Sequence, residues 1–423
     1  MAIAVLELFH SDRWWKVGSV AVADPTRGIG SPSRFEYDFD YLDQHPGALA
    51  ARDSRAVSCR YPVGYDVFDE PRWPPVLLDL IPAGAARRYW EATLALPNTD
   101  GSDWPVLLAG AHNPPGNVRI AHAAVPPQSH PGFPRSDILE RREGFIEYAR
   151  ASGAPISGSS GAGGDSPKFL LREDHEDRWH ADGALSDERT KACWLVKFPR
   201  TRDDVDRLIL EAEAAYHRVA RRVGLRAYES VTWEQDCLFV PRFDHHARDR
   251  GPISRLGLES LYSLAGVSDW GAWTPKELLA AALARFATDP RRELRELLTR
   301  DVFDVALGNT DNHGRNTSVL KSDGTVELSP IYDFCPMFLD PRGVARVCRW
   351  ADKSEFPDWV RVAEALAPLG LETSEARRCF QDCAEKVVSL PPIMQDCGVP
   401  KVVRDRLAER IARVEHDLRA VTS

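Results

Sequence analysis

The dipeptide Asp323-Gly324 places the tightest constraint on this chain, because it stands between two short runs, Thr317 to Leu320 and Thr325 to Leu328, that read as β-strands. Asp-Gly between such runs is a strong local signal for a hairpin, and a hairpin returns the chain to where it started. Residues just before the first strand and just after the second are therefore brought together. Before it stand Asp311 and Asn316, in LGNTDNHGRNTS, and after it stands Asp333, in SPIYDF. The hairpin predicts that Asp333 returns beside Asn316, where an amide and a carboxylate can share one cation.

Asp311 and Asn316 are five positions apart. That is the D-x-x-x-x-N spacing of a protein-kinase catalytic loop, in which the Asp accepts the proton of the substrate hydroxyl and the Asn binds metal. Asp333 then takes the part of the metal-binding Asp of a DFG segment, although Cys335 stands where the Gly would be. Asn, Asp and Gly also favour polar turns through local hydrogen bonds, so this stretch taken alone serves equally as a plain loop.

Upstream, the run CWLVKFP (Cys193 to Pro199) reads as a strand with Trp194, Val196 and Phe198 on one face and Leu195 and Lys197 on the other. A lysine inside an apolar strand is unusual, and phosphoryl-transfer chemistry needs one there, on the phosphates and paired with a glutamate of the next helix. The following segment supplies that helix. Asp203 or Asp204 can cap it, Leu208, Ala212, Ala215 and Val219 form its apolar stripe to about Arg222, and Glu213 is placed to meet Lys197. The alternative is a lysine snorkelling from an edge strand beside a solvated glutamate.

Earlier still, GSSGAGGDSPKFLL (Gly158 to Leu171) is rich in glycine, which lets backbone N–H groups approach an anion closely. It lacks the GK[ST] ending of a Walker A loop, and its composition also suits a flexible linker. The apolar Lys168 to Leu171 points to a strand leaving it. CLFVPRF (Cys237 to Phe243) reads as a further strand, running into a charged hinge from Asp244 to Arg250 in which His245 and His246 are expected at the surface.

Residues 1–125 read as a mixed β/α unit. Val5 to Phe9 and Trp14 to Val20 pair around a turn at His10 to Arg13, and Pro74 to Trp90 reads as one helix opened by prolines. A proline-rich linker, Ala121 to Arg135, precedes a helix from about Asp137 to Arg150 with Asp137 and Glu140 as a capping pair. Residues 136–245 form a β-rich unit, and 246–423 a mostly helical one with helices near 275–287, 291–307, 357–369, 374–390 and 400–420. The expected class is α+β, a bilobed kinase-like fold with an added N-terminal subdomain.

Composition narrows the partners. With 43% hydrophobic and 28% charged residues, the 423-residue chain is of ordinary globular type and long enough for two or three domains. No apolar run approaches a membrane span, so a cytoplasmic protein with no membrane partner is expected. The 8 cysteines are scattered without a CxxC pair, so free buried thiols and no structural metal are expected. A net charge of −9 argues that any DNA contact runs through a partner rather than this chain's own field.

Taken together and in order, GGDSPKFLL, Lys197, Glu213, VPRFD, GNTDNHGRNTS and SPIYDF resemble the HipA family of bacterial toxin kinases, as do PPVLLDLIPAG and GNVRIA in the first unit. The resemblance spans nearly the whole chain. It implies an ATP- and magnesium-dependent protein serine/threonine kinase, the toxin of a toxin–antitoxin pair. Asp311 would be its catalytic base, and Asn316 and Asp333 its Mg2+ ligands. Lys197, Glu213, Lys168, Gly161, Gly163, Gly164, Val240 and Phe243 would form the nucleotide site. It implies autophosphorylation at Ser160, with Ser159 and Ser157 as the next choices, because the loop is a residue longer than the usual pattern. The implied partners are a small helix-turn-helix antitoxin similar to HipB, through which DNA is reached, and a protein substrate such as an aminoacyl-tRNA synthetase. The chain departs from the pattern at Pro241, where an acidic hinge residue is common, and at Asp165-Ser166.

Two other readings compete. One is a kinase of a non-protein substrate, against which stands the lack of any basic amphipathic face. The other is a catalytically silent nucleotide-binding module that regulates a DNA-binding antitoxin. A broken metal site would mark it, and Asp311, Asn316, Asp333 and Lys197 are all present.

Overall fold

The computed structural model describes residues 1–121, 130–151, 166–201, 203–228, 231–249, 251–269 and 273–422. Its first element is the expected hairpin. Strands β1 (Ala2–His10) and β2 (Arg13–Val22) pair in register Phe9 to Trp14 and His10 to Arg13. Ser11 and Asp12 turn with φ of 49° and 62°, the two positive values that match the twist of the paired strands. With β3 (Ser33–Tyr37), β4 (Val67–Glu70) and β5 (Val118–Ile120) they make a five-stranded sheet of order β4-β3-β2-β1-β5. Leu6, Leu8, Val20 and Phe35 pack with Trp73, Leu77 and Leu107 in a core of their own.

The single helix expected over Pro74 to Trp90 is instead two, Leu77–Leu80 and Gly84–Thr93. Pro82 has no N–H to give and biases the residue before it away from helical angles; Ile81 accordingly sits at φ −68°, ψ 133°. The helix expected over Asp137 to Arg150 also divides, into Arg135–Leu139 and Glu143–Ala151, with Arg141 between them at φ 51°. Asp137 makes no cap there; its Oδ1 lies 3.5 Å from Arg142 Nε.

The second sheet has the order β7-β6-β8-β10-β9, from β6 (Lys168–Asp174), β7 (Trp179–Ala181), β8 (Thr190–Lys197), β9 (Thr232–Glu234) and β10 (Cys237–Pro241), all antiparallel. Its two faces divide the residues of β8 as alternation requires. Val196 and Phe198 join Phe145, Phe169 and Phe239 on one side, whereas Leu195 packs with Leu210, Ala214, Leu238 and Val240 on the other. The second face is covered by the long helix Asp204–Arg222. Asp203 occupies its N-cap position without a side-chain bond, and Asp206 instead accepts from the Thr201 amide at 2.9 Å.

Beyond residue 256 the chain is mainly helical: Leu261–Ala265, Lys276–Phe286, Pro290–Ala306, Trp359–Leu366, Thr373–Val388, Leu390–Asp396 and Lys401–Thr422 surround a core with Leu294, Phe303, Phe334, Phe380 and Val414. The expected segment 374–390 stops at Val388, and a separate short helix opens on Pro391 and Pro392, which suit a first turn. The hairpin of Ser318–Ser322 and Thr325–Leu328 forms with Gly324 at φ 72° and gains a third strand, Gly257–Ser260.

The charged hinge is the main correction. Asp244 and His245 are buried, and His245–His246 pair with Ser254–Arg255 rather than lying on the surface. The cause is the N-terminal unit, which docks against them: the Gly116 amide donates to Asp244 Oδ2 at 2.7 Å, and the Gly116 carbonyl meets His245 Nε2 at 2.8 Å. The same unit reaches the helical part. Glu259 accepts from the Cys59 amide at 2.9 Å and meets Lys321 Nζ at 3.2 Å, and Asp53 Oδ2 accepts from the Gly324 amide at 2.8 Å.

Candidate active site

The polar loop after helix Pro290–Ala306 is tied down from behind. Gly308 turns at φ 67° against the Phe338 ring, and Asp304, one turn inside the helix, accepts from Asn309 Nδ2 at 2.8 Å and from Asn312 Nδ2. Burial pushes the Asp304 carboxyl up to about 6. Further along, the His313 amide donates to the Asp311 carbonyl at 2.9 Å, and Asn316 Nδ2 donates to the same carbonyl at 2.7 Å. Gly314 passes so close to Tyr262 that a Cβ would stand 2.1 Å from the ring. His313 itself is a neutral imidazole, held down to about 3 by burial and then by Arg315.

This loop faces the end of β8 across a cleft walled by Lys168, Lys197, Arg200, Glu213, Asp311 and Asp333. Lys197 Nζ donates to Glu213 Oε1 at 2.6 Å and to Asp333 Oδ1. Both Lys197 and Glu213 are buried, at 3% and 1% exposure. Two carboxylates, Asp333 first and then Glu213, outweigh burial and raise the Lys197 ammonium above its ordinary value. The Glu213 carboxyl is also raised, because for this group burial outranks the attraction of Lys197. We take the pair as ionised, since a proton moved from lysine to glutamate would leave Asp333 facing a neutral amine. Lys168 Nζ lies 3.3 Å from Asp333 Oδ2 and completes the clamp.

Asp333 holds φ 49°, a left-handed angle uncommon outside glycine and a recurrent mark of functional positions. The Asp311 carboxyl is pushed up to about 7, chiefly by burial and next by the charge of Asp333. Asp311 and Asp333 thus line one cleft, with Asn316 held on the Asp311 backbone. Asn316 Oδ1 is a buried acceptor with no hydrogen-bond partner among the described residues, although Asn316 is not part of the wall of the cleft. An all-oxygen set of this kind suits a hard divalent cation such as Mg2+.

Beside the cleft, and sharing Lys168 and Asp333 with it, lies an apolar slot walled by Leu170, Leu195, Val240, Pro241, Phe243, Leu258 and Tyr332. The N-terminal unit closes it with Leu78, Asp79 and Pro115.

Of the residues singled out from the sequence, Lys168, Lys197, Glu213, Asp311 and Asp333 meet in the cleft, Asn316 braces Asp311, and Val240 and Phe243 line the slot. Gly161, Gly163, Gly164, Ser157, Ser159 and Ser160 lie outside the described residues. Sequence reasoning missed Asp304, which carries no local signal, and Arg315, whose guanidinium donates to the Leu78 carbonyl and so ties the polar loop to the N-terminal unit. Arg315 stood inside the GRN triplet; its partner was hidden.

Fold and site together define a bilobed α+β protein whose lobes face each other across a lysine–carboxylate cleft beside an apolar slot. The model of the HipA-like C-terminal domain matches residues 160–390, more than half of the 423, and the chain belongs to that family. In sequence it is 33% identical over 151 residues to the candidate kinase Y4mE of Sinorhizobium fredii (strain NBRC 101917 / NGR234), a match spanning 33% of each chain. In structure it superposes with a TM-score of 0.65 and 15% identity on a chain of the Shewanella oneidensis MR-1 complex of HipA, HipB and operator DNA, covering 99% of this chain and 96% of that one. A second likeness, to the Helicobacter pylori proinflammatory kinase CtkA, has a TM-score of 0.40 at 12% identity and covers 61% of this chain and 93% of that one.

Proposed function

We propose that this protein is an ATP- and Mg2+-dependent kinase of protein serine or threonine hydroxyls, acting as the toxin of a toxin–antitoxin pair. The observation that carries the reading is the clamp: Lys197 bound to Glu213 and Asp333, with Asp311 in the wall of the same cleft. An apolar slot opening into a charged cleft suits a ligand with a flat apolar head and an anionic tail, and ATP has both.

In this reading Val240 and Phe243 bound the adenine, Lys197 and Lys168 neutralise phosphate oxygens, and Glu213 holds Lys197 in place. The glycines Gly161, Gly163 and Gly164 belong to a loop over the phosphates. Asn316 and Asp333 hold Mg2+, which when bound offsets negative charge on the transferred group. Asp311 orients the incoming hydroxyl and takes its proton, a role its raised carboxyl fits because a base works best when its pKa is near the working pH. Residues 1–125, 136–245 and 246–423 are the units that place these groups.

The family and the superposed complex with HipB and operator DNA support a helix-turn-helix antitoxin as partner, with DNA reached through it. The protein substrate is of the kind that includes aminoacyl-tRNA synthetases, and Ser160, then Ser159 and Ser157, are the candidate self-modification sites. No helix among the described residues is long and apolar enough to cross a membrane.

The test is incubation with γ-labelled ATP and Mg2+ followed by mass mapping, with Asp311→Gln as control. Label on a loop serine or an added protein, absent from a folded Asp311→Gln, is the expected result. Equal labelling by that variant would remove Asp311 from the mechanism; nucleotide binding with no transfer to any protein would remove the kinase reading.

A further inference from the structure

Away from the cleft, where the N-terminal sheet meets the second sheet, the chain forms a half-open cavity of about 300 Å3. Nothing in the proposed reaction uses it. Its wall is built on arginine: Arg119, Arg172 and Arg255 all contribute, against the two acids Asp182 and Asp187. Arg172 and Arg255 are buried, at 3% and 8% exposure.

The acids are already committed. Asp182 accepts from Arg172 and, at 2.6 Å, from Arg242 just before the hinge. Asp187 accepts from Arg172 at 2.8 Å and from both terminal nitrogens of Arg255, at 2.7 and 2.9 Å. Arg119 lies 3.9 Å over the Trp14 ring and is partly exposed, so it stands toward the opening with Glu7 as its outer partner at 2.7 Å.

Three polar nitrogens of the wall remain. His112 Nδ1, Asn113 Nδ2 and Arg255 Nε are buried and have no hydrogen-bond partner among the described residues. A buried donor left without an acceptor is costly, so several around one cavity point to an acceptor-bearing occupant. The amide nitrogen and the guanidinium nitrogen can only donate, and a neutral imidazole offers one N–H. The missing group is therefore rich in acceptors, and the three guanidinium groups in the wall supply charge-assisted donors of the kind an oxyanion takes.

We propose that this cavity binds a small phosphate oxyanion, either orthophosphate or the phosphate of a phosphomonoester, held by Asn113, His112 and Arg255 with Arg119 at the opening. The claim does not depend on the kinase reading, because none of these residues touches the cleft.

The experiment is isothermal titration of the full chain with orthophosphate and, separately, with ribose 5-phosphate. Saturable binding is expected, weakened at least tenfold by Asn113→Asp, which replaces a donor with a like charge at constant shape. The more exposed change Arg119→Gln should weaken it about threefold, so that the site is still tested if Asn113→Asp folds poorly. Lys168→Met, in the cleft, should leave it unchanged. Tighter binding of ribose 5-phosphate assigns a phosphomonoester, and equal or tighter binding of orthophosphate assigns the free ion. No saturable binding, or binding abolished by Lys168→Met and indifferent to Asn113→Asp, overturns the proposal.

Discussion

Replacing Lys197 with Met removes one cation from between two carboxylates, and the structure says which of them is left alone. Asp333 keeps Lys168 at 3.3 Å, whereas Glu213, at 1% exposure, loses Lys197, its hydrogen-bond partner among the described residues. Breaking a buried pair from one side costs about 3–5 kcal/mol because an uncompensated charge stays inside. Here Glu213 can escape by taking a proton, and its carboxyl is already raised by burial. Below the unfolded value, about 4.3, a raised acid is protonated in both states and costs nothing; the penalty grows as pH rises and is complete above the folded value. Lys197→Met should therefore destabilise by about 3 kcal/mol at pH 8 and by roughly half that at pH 5. Glu213→Gln alone, which leaves Lys197 on Asp333, should cost about 1 kcal/mol. The double variant should be about 1–2 kcal/mol more stable than the sum of the two predicts. Urea unfolding followed by tryptophan fluorescence, with unchanged denaturant slopes, measures all three. Equal losses for Lys197→Met at both pH values, or strict additivity, would refute the argument.

Three further outcomes follow from the same geometry. Because the Asp311 carboxyl sits at about 7, binding of Mg2+ with nucleotide at pH 7 should release roughly half a proton, seen as a heat that changes between PIPES and Tris buffers; a buffer-independent heat counts against the placement of the cation. Gly314→Ala forces a Cβ to 2.1 Å from the Tyr262 ring, so it should cost about 1–3 kcal/mol in unfolding and disturb the Asp311 loop, and unchanged melting would mean that the loop yields freely. Arg315→Met orphans the buried Leu78 carbonyl and takes a cation from beside Asp79, itself raised to about 6 by burial. It should cost about 2–4 kcal/mol and expose the first 120 residues to limited proteolysis, and a digestion pattern like that of the parent would show that other contacts suffice to dock that unit.

What could be read in advance was local or periodic. The Asp323-Gly324 turn and the Ser11-Asp12 turn lie where the residue types put them, since φ above zero is a property of single residues. The split of Val196 from Leu195 across β8 follows from alternation, and with the register of the next helix it sets Lys197 against Glu213. Of the two divided helices one was legible in principle: Pro82 is a breaker in plain sight, whereas Arg141 turns at φ 51° with no such mark.

The rest came from packing between segments far apart in the chain. Asp244 and His245 look like a solvated hinge until Gly116, more than a hundred residues earlier, closes over them. Asp304 reads as one more helix residue until the loop folds back and offers it two amides. Asp311 could be named from spacing, but its raised carboxyl depends on burial and on Asp333 arriving from the far side of a hairpin. Residue types and spacings thus determined the candidate chemistry and most of the elements, because those depend on neighbours in sequence. The tertiary structure decided protonation, the clamp on Asp333 and the role of the first unit as a brace, because burial and charge depend on neighbours in space.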